Sequence, residues 1–168
     1  MSTHAEFKIR KATPKDAAVL AHHRVAMFRD MGKLDPRLEP KLRARCTTAL
    51  RKVVASREYV AWVICDAKDR QKIVGGGGVQ IRYMLPRSDV DGKKLLLGPE
   101  GIVLNVYVEP EYRRRGLARM LMAEILKWSK TSKIVRLVLH ASDDGRPLYE
   151  SIGFAPTNEM RYTGSLAS

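Results

Sequence analysis

Cysteine is scarce in this chain. Only Cys46 and Cys65 occur, far apart and without ligand spacing. That excludes a disulfide-framed secreted scaffold and favours two buried thiols in a reducing compartment. Long apolar runs are missing as well. No stretch approaches the ~20 residues of a membrane span, and the N-terminal MSTHAEFKIRK lacks the apolar core of a secretion signal. No membrane partner is expected, and the cytoplasm is the expected compartment. The four histidines, His4, His22, His23 and His140, show no H-x-x-x-H or Cys/His clustering, so no metal site is expected. Acidic residues are outnumbered, 18 Asp/Glu against 31 Lys/Arg, for a net charge of +13. Such a surface attracts polyanions non-specifically. Aromatics, however, make up only 7% of the chain. Most of them fall in strands or on apolar faces, and no helix-turn-helix, zinc or single-strand-binding pattern appears. A specific nucleic-acid partner is therefore not expected.

What is present is ordinary for one soluble domain spanning residues 1–168, with 45% hydrophobic and 29% charged residues. Phe7 and Ile9 alternate with polar neighbours as in a short strand. Thr13-Pro14-Lys15-Asp16 reads as a helix start, with Thr13 as cap and Pro14 in the first helical position. Val19, Leu20, His23, Ala26 and Met27 follow at helical spacing up to Gly32, and a second helix is predicted from Pro40 to about Ser56. Tyr59 to Asp66 and Lys72 to Leu85 read as strands, followed by a polar loop from Pro86 to Pro99. Gly101 to Glu109 is a third strand, stopped by Pro110. An amphipathic helix from Gly116 to about Thr131 carries Leu117, Met120, Leu121, Ile125 and Trp128 on one face. A strand from Ile134 to Ala141, a short helix from Arg146 to Ile152, and a terminal strand or hairpin from Phe154 complete the order. Local hairpins joined to one β-α-β crossover predict an α/β (α+β) fold, a mixed sheet flanked by helices.

The chemistry lies between Val103 and Phe154. A strand ends at Glu109-Pro110, and Arg113-Arg114-Arg115-Gly116-Leu117-Ala118 then opens a helix. The first N–H groups of a helix lack internal partners and lie at its positive end. Gly116 and the small Ala118 let an anion approach that backbone, so the turn suits a phosphate or pyrophosphate. Arg113, Arg114 and Arg119 can add charge-assisted contacts. Gly-x-x-x-x-Gly-Lys-Ser/Thr and Gly-x-Gly-x-x-Gly are both absent, which excludes a nucleotide P-loop and a dinucleotide fold.

The remaining pattern, Arg113-x-x-Gly116-x-Ala118, resembles the acetyl-CoA signature Q/R-x-x-G-x-G/A of the GNAT superfamily of N-acetyltransferases. The strand and turn LNVYVEPEYRRRGLARMLM and the later ASDDGRPLYESIGF match together, and IRKATPKDA fits the family's opening. The resemblance implies a central sheet of six to seven strands with about four helices, and acetyl-CoA as co-substrate. It implies that Val106, Tyr107 and Val108 offer main-chain groups to the pantetheine arm, with a bulge splaying the sheet to make room. An N–H near Val106 would polarise the thioester carbonyl. The N–H groups of Arg114, Arg115, Gly116, Leu117, Ala118 and Arg119 would take the pyrophosphate. Ser142 stands where the family often has Asn, near the pantetheine amide, and reaches less far. Tyr149, in LYESIGF, matches the family's general acid. A phenol of pKa ~10 is a weaker acid than a thiol of ~8.5, so full transfer to the departing thiolate is uphill by roughly 2 kcal/mol in water. Tyr149 therefore serves if the pocket raises the thiol's pKa, or as a hydrogen-bond donor.

Direct attack in a ternary complex also needs a neutral amine. Glu100, Glu109 and His140 are the candidate bases, whereas His22 and His23 read as ordinary helix residues, one half-buried and one exposed. Gly75 to Gly78 imply either a bulge or a close helix approach, or else a widened cleft. The family borders its acceptor site with the first two helices. Here residues 1–56 hold 13 Lys/Arg and 5 Asp/Glu, net +8. The acceptor, a small-molecule or peptide amine, is expected to carry negative charge; the simpler account is that CoA alone draws on the basic surface. A homodimer is a fair expectation.

Overall fold

The computed structural model describes residues 6–164; His4 lies outside them. Strand β1 (Phe7–Lys11) leads into a 3-10 turn at Pro14–Asp16. There Asp16 Oδ2 accepts from Thr13 N at 2.7 Å and Thr13 Oγ1 at 3.0 Å. Arg10 clamps the same carboxylate from β1 at 2.8 Å, holding it below the usual carboxylate range together with the Thr13 hydrogen bonds. Helices α1 (Ala17–Asp30) and α2 (Glu39–Ala55) follow, then strands β2 (Tyr59–Asp66) and β3 (Ile73–Tyr83). The polar loop predicted over 86–99 contains a small hairpin, β4 (Arg87–Ser88) with β5 (Leu95–Leu96). Strand β6 (Pro99–Val108), helix α3 (Leu117–Thr131), strand β7 (Arg136–Leu139) and helix α4 (Arg146–Ser151) complete the chain.

The central sheet has the order β1-β2-β3-β6-β7. All its pairings are antiparallel except β6 with β7, which is parallel across the α3 crossover. The architecture is the mixed α/β one anticipated, with four α-helices among the described residues. The main sheet, however, has five strands among the described residues rather than six to seven. The β4–β5 hairpin pairs only with itself, and residues 154–164 form no strand. That last stretch, FAPTNEMRYTG, lacks a period-two apolar pattern and carries Pro156 and Asn158.

Two apolar layers sandwich the sheet. On one face α3 buries Leu117, Leu121, Met122 and Ile125 against Trp62, Ile64, Val79, Val103 and Val108. On the other, α1 and α2 bury Ala17, Leu20, Ala21, Leu50 and Val54 against Tyr59, Ala61 and Val63. The glycines of β3 make this closeness possible. A Cβ at Gly76 would meet Trp62 O at 2.8 Å and Leu20 Cδ2 at 3.5 Å, and one at Gly77 would meet Leu121 Cδ2 at 3.2 Å. Close helix approach accounts for the run, and the bulge of the neighbouring strand lies opposite Gly77.

Candidate active site

Strand β6 changes character halfway along. From Glu100 to Val103 it is paired on both sides, with β3 and with β7. The pairing with β7 ends at Val103↔Leu139, so the edge of β6 from Leu104 onward is open. On the β3 side the register jumps from Gly78↔Leu104 to Gly76↔Tyr107. Asn105 and Val106 together oppose Gly77, which is a β-bulge, and Asn105 adopts φ 60°. This is the bulged, splayed strand that the resemblance implies.

Main-chain directions follow from the ladder. Glu109 N donates to Val74 O at 2.9 Å. Antiparallel alternation makes Tyr107–Gly76 the next exchanged pair, so the main-chain groups of Val106 and Val108 point away from β3, into the opening. Tyr107, grouped with them by sequence, instead turns its main chain toward β3 and its ring toward α1. There the ring lies 5.4 Å from His23. Val108 O accepts from Arg113 Nε at 2.9 Å, which leaves the N–H of Val108 and both main-chain groups of Val106 along the edge.

The turn before α3 has a backbone shape that suits an anion. Arg114 (φ 63°) and Gly116 (φ 77°) are both left-handed, a backbone shape that gathers successive N–H groups into a concavity. A side chain at Gly116 would be strained by its φ, although no heavy atom lies within 4 Å of its Cβ position. Leu117 is buried under the turn and Ala118 half-buried beside it, anchoring the first turn of α3. The arginines divide their work. Arg113 is held by Asp30 of α1 at 2.5 Å and lies 5.2 Å over the Tyr107 ring, so its guanidinium braces the strand end. Arg119 Nη2 donates to Ser151 Oγ at 2.7 Å, tying α3 to α4. Arg115 lies 5.5 Å over the Tyr112 ring. Arg114 is exposed on the turn itself.

Tyr149 lies on the α3 face, where it borders the same apolar cluster as Val106, Ala118 and Leu139. Its ring packs edge-on against Phe154 with centroids 6.1 Å apart. Burial raises its pKa above the ordinary phenol value, which favours the protonated, donor form. Gly145 leaves the room it needs, since a Cβ there would meet Tyr149 Cε2 at 2.9 Å. Ser142 is exposed and accepts from Gly145 N at 3.2 Å. Its hydroxyl already serves the start of α4.

The candidate bases separate. Glu100 is 2% exposed and fixed between Arg82 at 2.5 Å and Arg136 at 2.6 Å, in the doubly paired half of β6. It is a structural carboxylate. His140 is exposed and lies 2.7 Å from Glu159. Glu109 meets a histidine pair that sequence reasoning set aside. His22 Nε2 lies 3.1 Å and His23 Nε2 3.4 Å from Glu109 Oε1. His23 is the buried member, 1% exposed, and burial followed by the neighbouring His22 pushes its pKa down to about 4. His22 is half-buried, and its Nδ1 faces Arg43 of α2 at 3.2 Å.

A cavity of about 230 Å³ lies on the α1–α2 side of the bulge, lined by Arg24, Leu50, Tyr59, Gln80, Leu104 and Asn105 among others. Arg24 and Asn105 were missed in the sequence. The available signal was an asparagine, a poor strand former tolerant of left-handed φ, inside the apolar run GIVLNVYVE.

Comparison with known proteins agrees with this geometry. The family model of the acetyltransferase (GNAT) family matches residues 25–154. A glucosamine 6-phosphate N-acetyltransferase of Trypanosoma brucei brucei is 29% identical over 91 residues, which is 54% of this chain and 56% of that protein. The match therefore spans little more than half of that relative. A GCN5-related N-acetyltransferase from Ralstonia eutropha superposes with a TM-score of 0.80 at 28% identity, covering 93% of this chain and 97% of its own. A predicted acetyltransferase from Clostridium acetobutylicum, solved with acetyl-CoA, has the same fold, with a TM-score of 0.75 at 24% identity and coverage of 94% and 96%. The bulged strand, the left-handed turn and these matches lead to one assignment: the chain belongs to the GNAT family of acetyltransferases.

Proposed function

We propose that the chain is an acetyl-CoA-dependent N-acetyltransferase that passes the acetyl group to a primary amine by direct attack. One observation carries the reading: the open edge of β6 runs from the bulge toward the left-handed Arg114–Gly116 turn at the start of α3. An elongated ligand with an amide-bearing arm and a pyrophosphate fits those two features together. Acetyl-CoA supplies an activated acyl group as its thioester. Val106 and Val108 would pair with the arm, the N–H groups from Arg114 to Arg119 would hold the pyrophosphate, and Val106 N–H would bind the thioester carbonyl oxygen. Tyr149 would donate a hydrogen bond to the departing sulfur as the carbon–sulfur bond breaks and the amide bond forms. The amine's proton leaves through a base or solvent; Glu109 is the base we favour, supported by its place at the end of the open half of β6.

The acceptor reading is an amine that also carries a negative charge. It is supported by Arg24 in the wall of the cavity behind the bulge. The net +8 of residues 1–56 and the phosphorylated amino sugar named for the trypanosomal relative point the same way. The test is calorimetry with acetyl-CoA at moderate salt, with dephospho-CoA and a DNA oligomer as controls, followed by matched acceptor pairs such as glucosamine 6-phosphate and glucosamine. Saturable, salt-resistant acetyl-CoA binding is expected, with faster turnover of the anionic member of each pair. Salt-sensitive DNA binding without acetyl-CoA binding would overturn the activity. Equal turnover across the pairs would overturn the acceptor class alone.

A further inference from the structure

The bulge is held by a directed chain of side-chain hydrogen bonds. Arg24 Nη1 donates to Asn105 Oδ1 at 2.5 Å, Asn105 Nδ2 donates to Tyr59 Oη at 3.1 Å, and Tyr59 Oη donates to Leu104 O at 3.2 Å. A guanidinium can only donate, so Asn105 must present its oxygen to Arg24 and its amide nitrogen to Tyr59. The single phenolic proton is then left for the Leu104 carbonyl. Three elements converge here, α1 through Arg24, β2 through Tyr59 and β6 itself. Asn105 is 8% exposed and Tyr59 3%, and burial raises the Tyr59 pKa far above its ordinary value, which keeps the hydroxyl protonated. Arg24 is itself positioned 4.9 Å over the Phe28 ring.

Packing does not hold the bulge by itself, because the cavity lies directly behind Leu104 and Asn105. Leu104 O belongs to the peptide unit before Asn105, and Val106 N–H belongs to the unit after it. Pinning that carbonyl and the Asn105 side chain fixes the left-handed residue between them, and with it the direction of the Val106 N–H. We propose that Arg24, Asn105 and Tyr59 are positioning residues that aim the Val106 N–H at the acyl carbonyl of the bound thioester. The inference rests on the acetyl-CoA reading above and adds to it the side chains that orient its oxyanion donor. None of the three touches the reacting atoms; each acts through the backbone of the bulge.

The test reads backbone amides by 1H–15N NMR while the full chain is titrated with acetyl-CoA and, separately, with CoA. In the wild type, the Gly116 and Leu117 amides should shift with both ligands. The Val106 amide should shift with acetyl-CoA and much less with CoA. Asn105→Gly permits the same φ while removing the side-chain bonds, and Tyr59→Phe removes the donor to Leu104 O together with the acceptor of Asn105 Nδ2 while leaving the Arg24–Asn105 bond. Each should leave the affinity read at Gly116 within about threefold of wild type and reduce the acetyl-specific Val106 shift by roughly half or more. The double variant should lose no more than Asn105→Gly does, since the chain acts as one unit. Should Asn105→Gly fail to fold, Tyr59→Phe decides by the same readout. An undiminished Val106 shift beside normal Gly116 binding overturns the proposal alone. Silence at Gly116 and Leu117 in the wild type overturns the acetyl-CoA reading, and the proposal with it.

Discussion

The two halves of β6 are held in opposite ways. The first, Pro99 to Val103, has strands on both sides and a buried carboxylate, Glu100, between Arg82 and Arg136. The second, Leu104 to Val108, has β3 on one side and an opening on the other. Side chains from α1, β2 and the turn before α3 hold it in place of a second ladder: Arg24 and Tyr59 at the bulge, His23 against Tyr107, and Arg113 on Val108 O. One strand is thus scaffold along half its length and, in the function proposed above, a binding edge along the other. An open main-chain edge is available to a ligand only because side chains replace the missing neighbour.

The largest effect should come from breaking the scaffold half. Removing the carboxylate with Glu100→Ala leaves two guanidinium groups facing a buried void, although both are partly exposed and recover some hydration. A loss of about 2–4 kcal/mol is expected in urea denaturation. Acetyl-CoA affinity of the protein that remains folded should be unchanged, because the open half is fixed from elsewhere. A parallel loss of affinity would show that the two halves are not independent.

Next is the pH dependence of the open half. His23 has a folded-state pKa near 4, below its ordinary value of about 6.5. The folded protein therefore keeps it neutral where the unfolded chain binds a proton. Its contribution is complete above pH 6.5 and is lost progressively as pH falls from 6.5 toward 4. That loss should be on the order of 2 kcal/mol between pH 7 and pH 5. Thermal melts at pH 7 and pH 5 check it. His23→Gln should flatten the difference, whereas the exposed His140 changed in the same way should leave it intact.

Tyr149→Phe tests the α3 side of the opening. The ring stays packed on Phe154 and only the hydroxyl is lost. Turnover should fall about 10- to 100-fold, as for a general acid or a hydrogen-bond donor to a leaving group, with acetyl-CoA affinity nearly unchanged. Unchanged turnover would reduce Tyr149 to a packing residue.

These halves were unequally legible in the sequence. Alternation and helical spacing placed β2 from Tyr59 to Asp66 and α3 within one residue of its observed start. The turn around Gly116 was readable because strand, glycine and amphipathic helix are contiguous. The side chains that replace the missing strand were not. Asn105 finds Tyr59 and Arg24 at separations of 46 and 81 residues, and nothing local predicts such partners. His23 matched the apolar face of α1, yet its contact with Glu109 depends on where β6 ends. Glu100 looked like a base from its place at a strand end, because the two arginines that enclose it come from other strands. Local periodicity reports which face is buried; it does not report which buried polar groups meet.

The smallest effect is expected at Ser142, on the β7 lip of the opening. Its position invites a contact with the pantetheine arm, but its hydroxyl accepts from Gly145 N and its carbonyl from Arg146 N at 2.9 Å. Those bonds shape the start of α4, and α4 carries Tyr149. Ser142→Ala should therefore lower stability by about 0.5–1 kcal/mol, as for a lost cap, while acetyl-CoA affinity by calorimetry stays within about twofold. A loss of affinity well beyond that, with stability unchanged, would mean that the hydroxyl leaves Gly145 for the ligand. The lip would then belong to the binding edge, and the division between scaffold and edge would have to be drawn through β7 as well as β6.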